Sequence, residues 1–188
     1  MNKSKLRYLA KTYDFERGYI AKSNNAITSK VITHPLFQAA KTVFCYVSMN
    51  NEVDTRSIIK YALREGKTVC VPLCELQGKM TPYVIYSLGE MSEGAYGIPE
   101  PPIGAPLGEN IDLCIVPCVC ADKEGYRVGH GGGYYDRFLK DFEGKSMLLC
   151  RDVLVHDNVP RKEHDIRCDI LITEKQIICA EEEKCEEI

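Results

Sequence analysis

The spacing of apolar positions changes character several times along the chain, and each change predicts an element. Leu6, Leu9, Ala10 and Tyr13 recur at helical spacing and give one apolar stripe near the N-terminus. A second helical stretch is predicted over residues 29–40, with boundaries disturbed by His34-Pro35, because the residue before a proline avoids the helical region. The pattern then turns to continuous apolar runs. Residues 42–48, Thr-Val-Phe-Cys-Tyr-Val-Ser, read as the first strand of a buried sheet. Asp54 or Thr55 is placed to cap a helix carrying Ile58, Ile59, Ala62 and Leu63, which Gly66 ends. Residues 67–72 form the next strand, so the order is strand, capped helix, strand, the signature of parallel pairing through a crossover. Further strands are predicted at 79–86, 111–116, 146–150 and 168–173. Residues 89–108, rich in Gly and Pro, read as an ordered surface excursion, and 117–133 as a long connection before a helix over 134–140. Connections longer than about 12–15 residues in compact domains are usually functional or disordered. The expected architecture is α/β, a mostly parallel sheet flanked by helices in a Rossmann-like three-layer arrangement. It spans 1–188 as a single domain, with an acidic tail over 181–188 that frays.

Composition adds little until the cysteines are reached. With 188 residues, 45% hydrophobic and 27% charged, the chain has the profile of a globular protein with a core of its own. A net charge of −3 gives no global attraction to nucleic acid or anionic membrane, so an anionic ligand must be held by local groups. No apolar run approaches the roughly 20 residues that span a bilayer, and the charged start at Met1-Asn-Lys-Ser-Lys-Leu-Arg lacks a signal peptide's apolar core. A cytoplasmic location is the expectation. Ten cysteines are unusual, but neither the Cys70/Cys74 pair nor the Cys114/Cys118/Cys120 group has paired zinc-knuckle spacing. They are expected to act as small buried hydrophobes rather than as a metal site.

The segment Arg127-Val-Gly-His-Gly-Gly-Gly-Tyr-Tyr-Asp136 lies between the strongest strand and a helix, where open α/β sheets bind ligands. Glycines there let backbone N–H groups reach phosphate oxygens, and the helix N-terminus adds a positive dipole. Arg127 adds a fixed cation, and Asp136 falls in the first helical turn, where it reaches a Mg2+ ion shared with phosphates. No Gly-Lys-Ser/Thr follows, so this is not a Walker A loop, and a glycine run alone is equally what a flexible turn contains. Asp136 alone reads as an acid complementing the helix dipole.

The surrounding motifs narrow the reading. Lys3-x-x-Leu6-Arg7, Glu52-Val-Asp-Thr55, Gly97-Ile-Pro-Glu-Pro101, the run from Asp112 to Pro117, the glycine loop, His164-Asp165 and Thr173-Glu174 follow one another in order. Together they resemble the 5-formyltetrahydrofolate cyclo-ligase family over about 170 residues. The resemblance implies an ATP- and Mg2+-dependent conversion of 5-formyltetrahydrofolate to 5,10-methenyltetrahydrofolate, with release of ADP and phosphate. It implies ATP contacts from Lys3, Ser4, Lys5, Leu6 and Arg7 and from Arg127, Val128, Gly129, His130, Gly131, Gly132, Gly133, Tyr134 and Tyr135. Folate contacts are implied for Val47, Glu52 and the segment from His130 to Tyr134, with Tyr46 beside them. Catalytic roles are implied for Arg127, Tyr134 and Asp136, and Mg2+ ligation for Asp136 and Asp165. Two carboxylates plus phosphate oxygens suit a hard ion.

This chain also departs from the family pattern. Pro117-Cys-Val-Cys-Ala-Asp122 stands where Pro-Gly-x-Ala-Phe-Asp is common, His130 where tyrosine or arginine is usual, and no glutamine occurs around Leu154. Two other readings share the motif set: a diverged ATP-dependent ligase acting on another substrate, and a folate- or nucleotide-binding protein without turnover. The expected partners are the two small substrates, with no nucleic acid or membrane, and the chain is expected as a monomer or weak homodimer.

Overall fold

The computed structural model describes residues 1–49, 51–75, 78–94, 97 and 99–180. The acidic tail at 181–188 and Ile98 of the Gly97–Pro101 motif lie outside them. A seven-stranded sheet organises the chain, built from β1 (Thr42–Cys45), β2 (Thr68–Cys74), β3 (Met80–Ile85), β6 (Leu113–Val116), β9 (Lys145–Leu149), β11 (Ile170–Ile172) and β12 (Ile177–Cys179). Between β3 and β6 the chain adds a small hairpin of β4 (Ser92–Glu93) and β5 (Pro99–Glu100). Strand order is β12-β11-β9-β6-β1-β2-β3. The five strands from β2 to β11 pair in parallel, and β3 and β12 close the two edges antiparallel. Taken in chain order, the parallel strands run 2-1-3-4-5. The chain therefore reverses direction between β1 and β6, the switch point outside which such sheets bind ligands.

Alternation of side chains along each strand makes the layers. Val43, Leu113, Ile115, Met147, Leu149, Ile170 and Ile172 face one core with Ile27, Val31, Phe37, Ile58 and Ile59. These come from α2 (Tyr19–Thr33), α3 (Pro35–Ala39) and α4 (Arg56–Arg64). Phe44, Cys70, Cys114, Val116, Leu148 and Leu171 face the opposite core with Leu6, Ala10 and Leu139, from α1 (Lys3–Lys11) and α5 (Tyr134–Lys140). Six cysteines (45, 70, 114, 120, 150 and 168) are buried thiols inside these cores. Burial pushes Cys70 up to about 11 and Cys120 up to about 12, which keeps both protonated and inert at neutral pH.

The α/β expectation holds, with local differences. The predicted 29–40 helix is two elements: α2 starts earlier, after Gly18 at φ 80°, and stops at His34, whose backbone is extended (φ −69°, ψ 136°) ahead of Pro35. His34 Nδ1 then accepts the Leu36 N–H at 3.2 Å and caps α3. The long connection after β6 is not structureless. It folds into β7 (Cys120–Asp122) and β8 (Arg127–Val128), an antiparallel pair that β10 (Val155–His156) joins in parallel. Asp122, fully buried, holds that turn through the N–H groups of Glu124, Tyr126 and Val159. Thr55 occupies the N-cap of α4 but spends its hydroxyl on Tyr46 O at 2.6 Å, while Asp54 Oδ1 accepts the Arg56 N–H at 3.2 Å. Among the described residues no helix is long and apolar enough to cross a membrane.

Candidate active site

Three segments meet at the switch point: the start of α1, the 127–136 loop, and the turn after β1 that carries Glu52. Asn2 starts α1 by accepting the Lys5 N–H at 2.9 Å, and buried Leu6 and Ala10 anchor the helix to the core. Lys3 and Arg7, four residues apart, project from one helix face. The Lys3 ammonium donates to Asp165 Oδ1 at 2.6 Å, and Arg7 Nε donates to Gly129 O at 2.7 Å. Ser4 and Lys5 are exposed, whereas Leu6 and Val128 are buried beneath the loop as packing residues.

The loop itself needs its glycines. Gly131 has φ 110° and Gly133 φ 66°, conformations that side chains rarely adopt, and a Cβ at Gly133 would lie 2.9 Å from Arg137 Nη1. Arg137 bonds Gly132 O and, at 2.8 Å, Gly78 O, so it ties the loop to the turn between β2 and β3. Tyr134 donates to Glu75 O at 3.4 Å, and Arg137 lies 5.6 Å over its ring. Tyr135 packs against Phe44, and among the described residues its phenol oxygen is a buried polar atom with no hydrogen bond. Burial, reinforced by nearby acidic groups, raises its pKa well above 10, so it remains a neutral donor.

Below the loop, Arg127 is 6% exposed and donates to Asp136 Oδ1 at 2.9 Å and to Ile166 O at 2.8 Å. Asp136 Oδ1 also accepts the Ile166 N–H at 3.2 Å, which draws the 165–166 segment against α5. Asp165 accepts from Lys3 and from the Lys162 N–H at 2.6 Å. Burial works against its ionisation, but the Lys3 ammonium and the Lys162 N–H outweigh it and hold its pKa below the usual carboxylate value. Both expected metal carboxylates therefore sit at the site, each paired with a cation. Among the described residues no group of three or more His, Cys, Asp or Glu side chains forms a metal cluster. Two carboxylates fit a Mg2+ ion whose remaining ligands are phosphate oxygens and water. For Asp165 that fit requires Lys3 to turn away.

Glu52 faces the loop from the other side. Its Oε2 accepts the Met49 N–H at 2.8 Å, and its Oε1 lies 3.1 Å from His130 Nε2 across 78 residues of chain. Glu52, Ser48, Asp54, Arg56 and Asn24 line a cavity of about 600 Å3 beside the loop. Tyr46 and Val47 are buried in the core under the same turn, and Tyr46 donates to Val53 O at 2.8 Å.

The Glu52 carboxylate raises the His130 pKa above 6.5 by hydrogen bonding, against burial and the nearby Arg7 charge. A raised pKa means the ion pair is present below the unperturbed value and is lost as pH rises through the raised one. Titration of His130 followed by NMR is expected to inflect above pH 6.5, and Glu52→Gln is expected to move the inflection down. An inflection at or below 6.5 in the unmodified protein would contradict the contact.

Two arginines here carried no role in the sequence reading. Arg137 is one. The other is Arg151, at the end of β9, 2% exposed and among the largest fully buried side chains. Its guanidinium donates to Asn51 O (2.6 Å), Glu52 O (2.9 Å), Asn24 Oδ1 (3.0 Å) and Ser23 Oγ (3.3 Å), and it lies 5.4 Å over the Phe15 ring. Its signal in the sequence is slight, an Arg-Asp pair directly after an apolar run.

The chain is similar to known proteins along most of its length. The family model described as the 5-formyltetrahydrofolate cyclo-ligase family matches residues 3–174. The mouse 5-formyltetrahydrofolate cyclo-ligase is 29% identical over 163 residues, covering 79% of this chain and 80% of the mouse protein. The Saccharomyces cerevisiae protein of the same name is 30% identical over 179 residues, covering 81% of this chain and 85% of the yeast one. Among solved structures, the 5,10-methenyltetrahydrofolate synthetase of Aquifex aeolicus superposes with a TM-score of 0.86 at 31% identity, covering 100% of this chain and 97% of that one.

Proposed function

Since the chain belongs to the 5-formyltetrahydrofolate cyclo-ligase family, we propose that it converts 5-formyltetrahydrofolate to 5,10-methenyltetrahydrofolate with MgATP, releasing ADP and phosphate. The observation that carries the reading is the meeting of the glycine loop with the Glu52 cavity through the His130–Glu52 pair, at 3.1 Å. It sets a phosphate-type loop beside a polar cleft, as a reaction between a nucleotide and a second substrate requires.

In this reaction the γ-phosphoryl group passes to the formyl oxygen. N10 attacks the activated carbon, the ring closes, and the formyl oxygen leaves on phosphate. The protein supplies position and charge rather than a nucleophile. Lys3 and Arg7 bring cations to the phosphate side from a helix locked to the core. The Gly129–Gly133 backbone follows the phosphates, and Arg127 fixes Asp136 beneath them. Tyr134 and Tyr135 line the loop's return, and the Tyr135 phenol is a desolvated donor available to a bound oxygen. Glu52 accepts hydrogen bonds from the folate ring. Mg2+, held by Asp136 and Asp165, would neutralise phosphate charge when bound. The reading puts the enzyme in the cytoplasm, where the free thiols it carries stay reduced.

The test is ADP release that depends on 5-formyltetrahydrofolate, run on the natural chain and on the Lys3→Ala, Arg7→Ala double variant. The double variant is expected to raise the KM for ATP on the order of tenfold, and that for folate much less, since charge-assisted contacts of this kind are worth about 1.5–3 kcal/mol. ADP release independent of folate would remove the folate reaction, and equal effects on both KM values would reduce α1 to a structural element.

A further inference from the structure

The Asn24 carboxamide has its orientation fixed from behind. Its Oδ1 accepts from Arg151 Nη2 at 3.0 Å and from the Asp54 N–H at 3.2 Å. With both donors on the oxygen, the NH2 group must point the other way, because an amide's two ends are distinguished by the network around them. Asn24 is half-buried and lines the cavity beside Glu52, and among the described residues its NH2 donates to nothing. Nearby on the same lining, Ser48 Oγ donates to Asp54 Oδ1 at 2.8 Å, and Arg56 Nη1 donates to Ser48 O at 2.9 Å. The same buried guanidinium that orients Asn24 also holds the Glu52 carbonyl at 2.9 Å. One side chain therefore ties the Asn24 amide to the backbone that carries Glu52, and both residues line the cavity.

We infer that Asn24 is a substrate-recognition residue, donating its amide N–H to the ring carbonyl of a 2-amino-4-oxo pteridine while the neighbouring Glu52 carboxylate accepts from that ring's N–H groups. Arg151 is the positioning residue for both. The inference rests on the folate reading and extends it, since it names the edge of the substrate that this wall distinguishes. A cyclic amide carrying an exocyclic amine offers an acceptor next to two donors, which is the complement of Asn24 beside Glu52. A 2,4-diamino ring carries an amine where that carbonyl stood and an unprotonated ring nitrogen between its two amines, so it would set an amine against the Asn24 NH2 and a lone pair toward Glu52.

The natural chain alone already tests this. Its affinity for a 4-oxo folate is expected to exceed that for the matching 2,4-diamino analogue on the order of tenfold, the factor that one mismatched hydrogen bond gives. Asn24→Asp keeps both bonds accepted at Oδ1 and replaces the cavity-facing donor with an acceptor. It is expected to raise the KM for 5-formyltetrahydrofolate on the order of tenfold. It is also expected to leave the KM for ATP and the Tm essentially unchanged, and to reverse the preference toward the diamino analogue. A purely structural Asn24 would leave ligand preference where it was. Equal binding of the two analogues by the natural chain would overturn the inference, as would Asn24→Asp with an unchanged folate KM and an unchanged preference. Failure of the underlying reading looks different: no turnover with 5-formyltetrahydrofolate in the natural chain, whichever analogue it binds better.

Discussion

Arg127→Met should cost about 3–5 kcal/mol of stability, because it leaves the partly buried Asp136 carboxylate without its cation. The pair is not a surface ornament. The Arg127 side chain is 4% exposed and that of Asp136 23%, and the guanidinium also satisfies Ile166 O at 2.8 Å. Ile166 in turn donates its N–H to Asp136 at 3.2 Å, so one substitution loosens three elements: β8, the first turn of α5, and the 165–166 segment. Since the loop between β8 and α5 is the proposed phosphate site, turnover should fall about 100-fold, the scale of loss that small misplacements of reacting groups produce. Arg127→Lys keeps the charge but not the two-pronged donor set and should recover only part of the stability. Thermal unfolding and steady-state kinetics on the two variants check this. A Met variant with natural Tm and kcat would show that the pair holds nothing.

The second large effect is expected at Arg151. Its four acceptors are contributed by α2 and by the Glu52 turn, segments 99–128 residues away in sequence. Burial lowers its pKa from the ordinary arginine value, and the charge persists because carbonyl oxygens and nearby acidic groups surround it. Arg151→Met leaves buried acceptors unsatisfied at about 1–3 kcal/mol each, and a fall in Tm on the order of 10 °C is the expected sum for a chain of this size. The surviving folded fraction should show a raised KM for folate with little change in that for ATP. A loss of stability with both KM values unchanged would make Arg151 a core residue without influence on the cleft.

Local signals explain which parts of this structure the sequence made legible. Strands β1, β6, β9 and β11 are buried on both faces, so they read as unbroken apolar runs, and the capped α4 between β1 and β2 makes the parallel pairing plain. Strands β7, β8 and β10 are two or three residues long, too short to carry a period, and their pairing depends on Asp122 gathering three separate N–H groups. The region after β6 therefore reads as a loop. Pro35 is legible as a disturbance, but its outcome, one helix ended and another capped by the same histidine, depends on the His34 side chain turning back to the Leu36 N–H.

The site divides along similar lines. Arg127, Asp136 and the glycines lie within ten residues and announce themselves as a group. Lys3 and Asp165 are 162 residues apart, and only the ordered family motifs connected them to the loop. Asn24 and Arg151 had neither local clustering nor a motif. Their pairing across 127 residues is a product of tertiary packing between α2 and the end of β9. His130 stood out as a departure, and its partner Glu52 gives the departure a physical content: an ion pair between the two halves of the site.

The most direct test of the account is to mix the natural chain with MgATP and 5-formyltetrahydrofolate and follow methenyl absorbance in the near ultraviolet. A rise that requires both ATP and the folded protein is expected. No ATP-dependent rise from protein shown to be folded would contradict it.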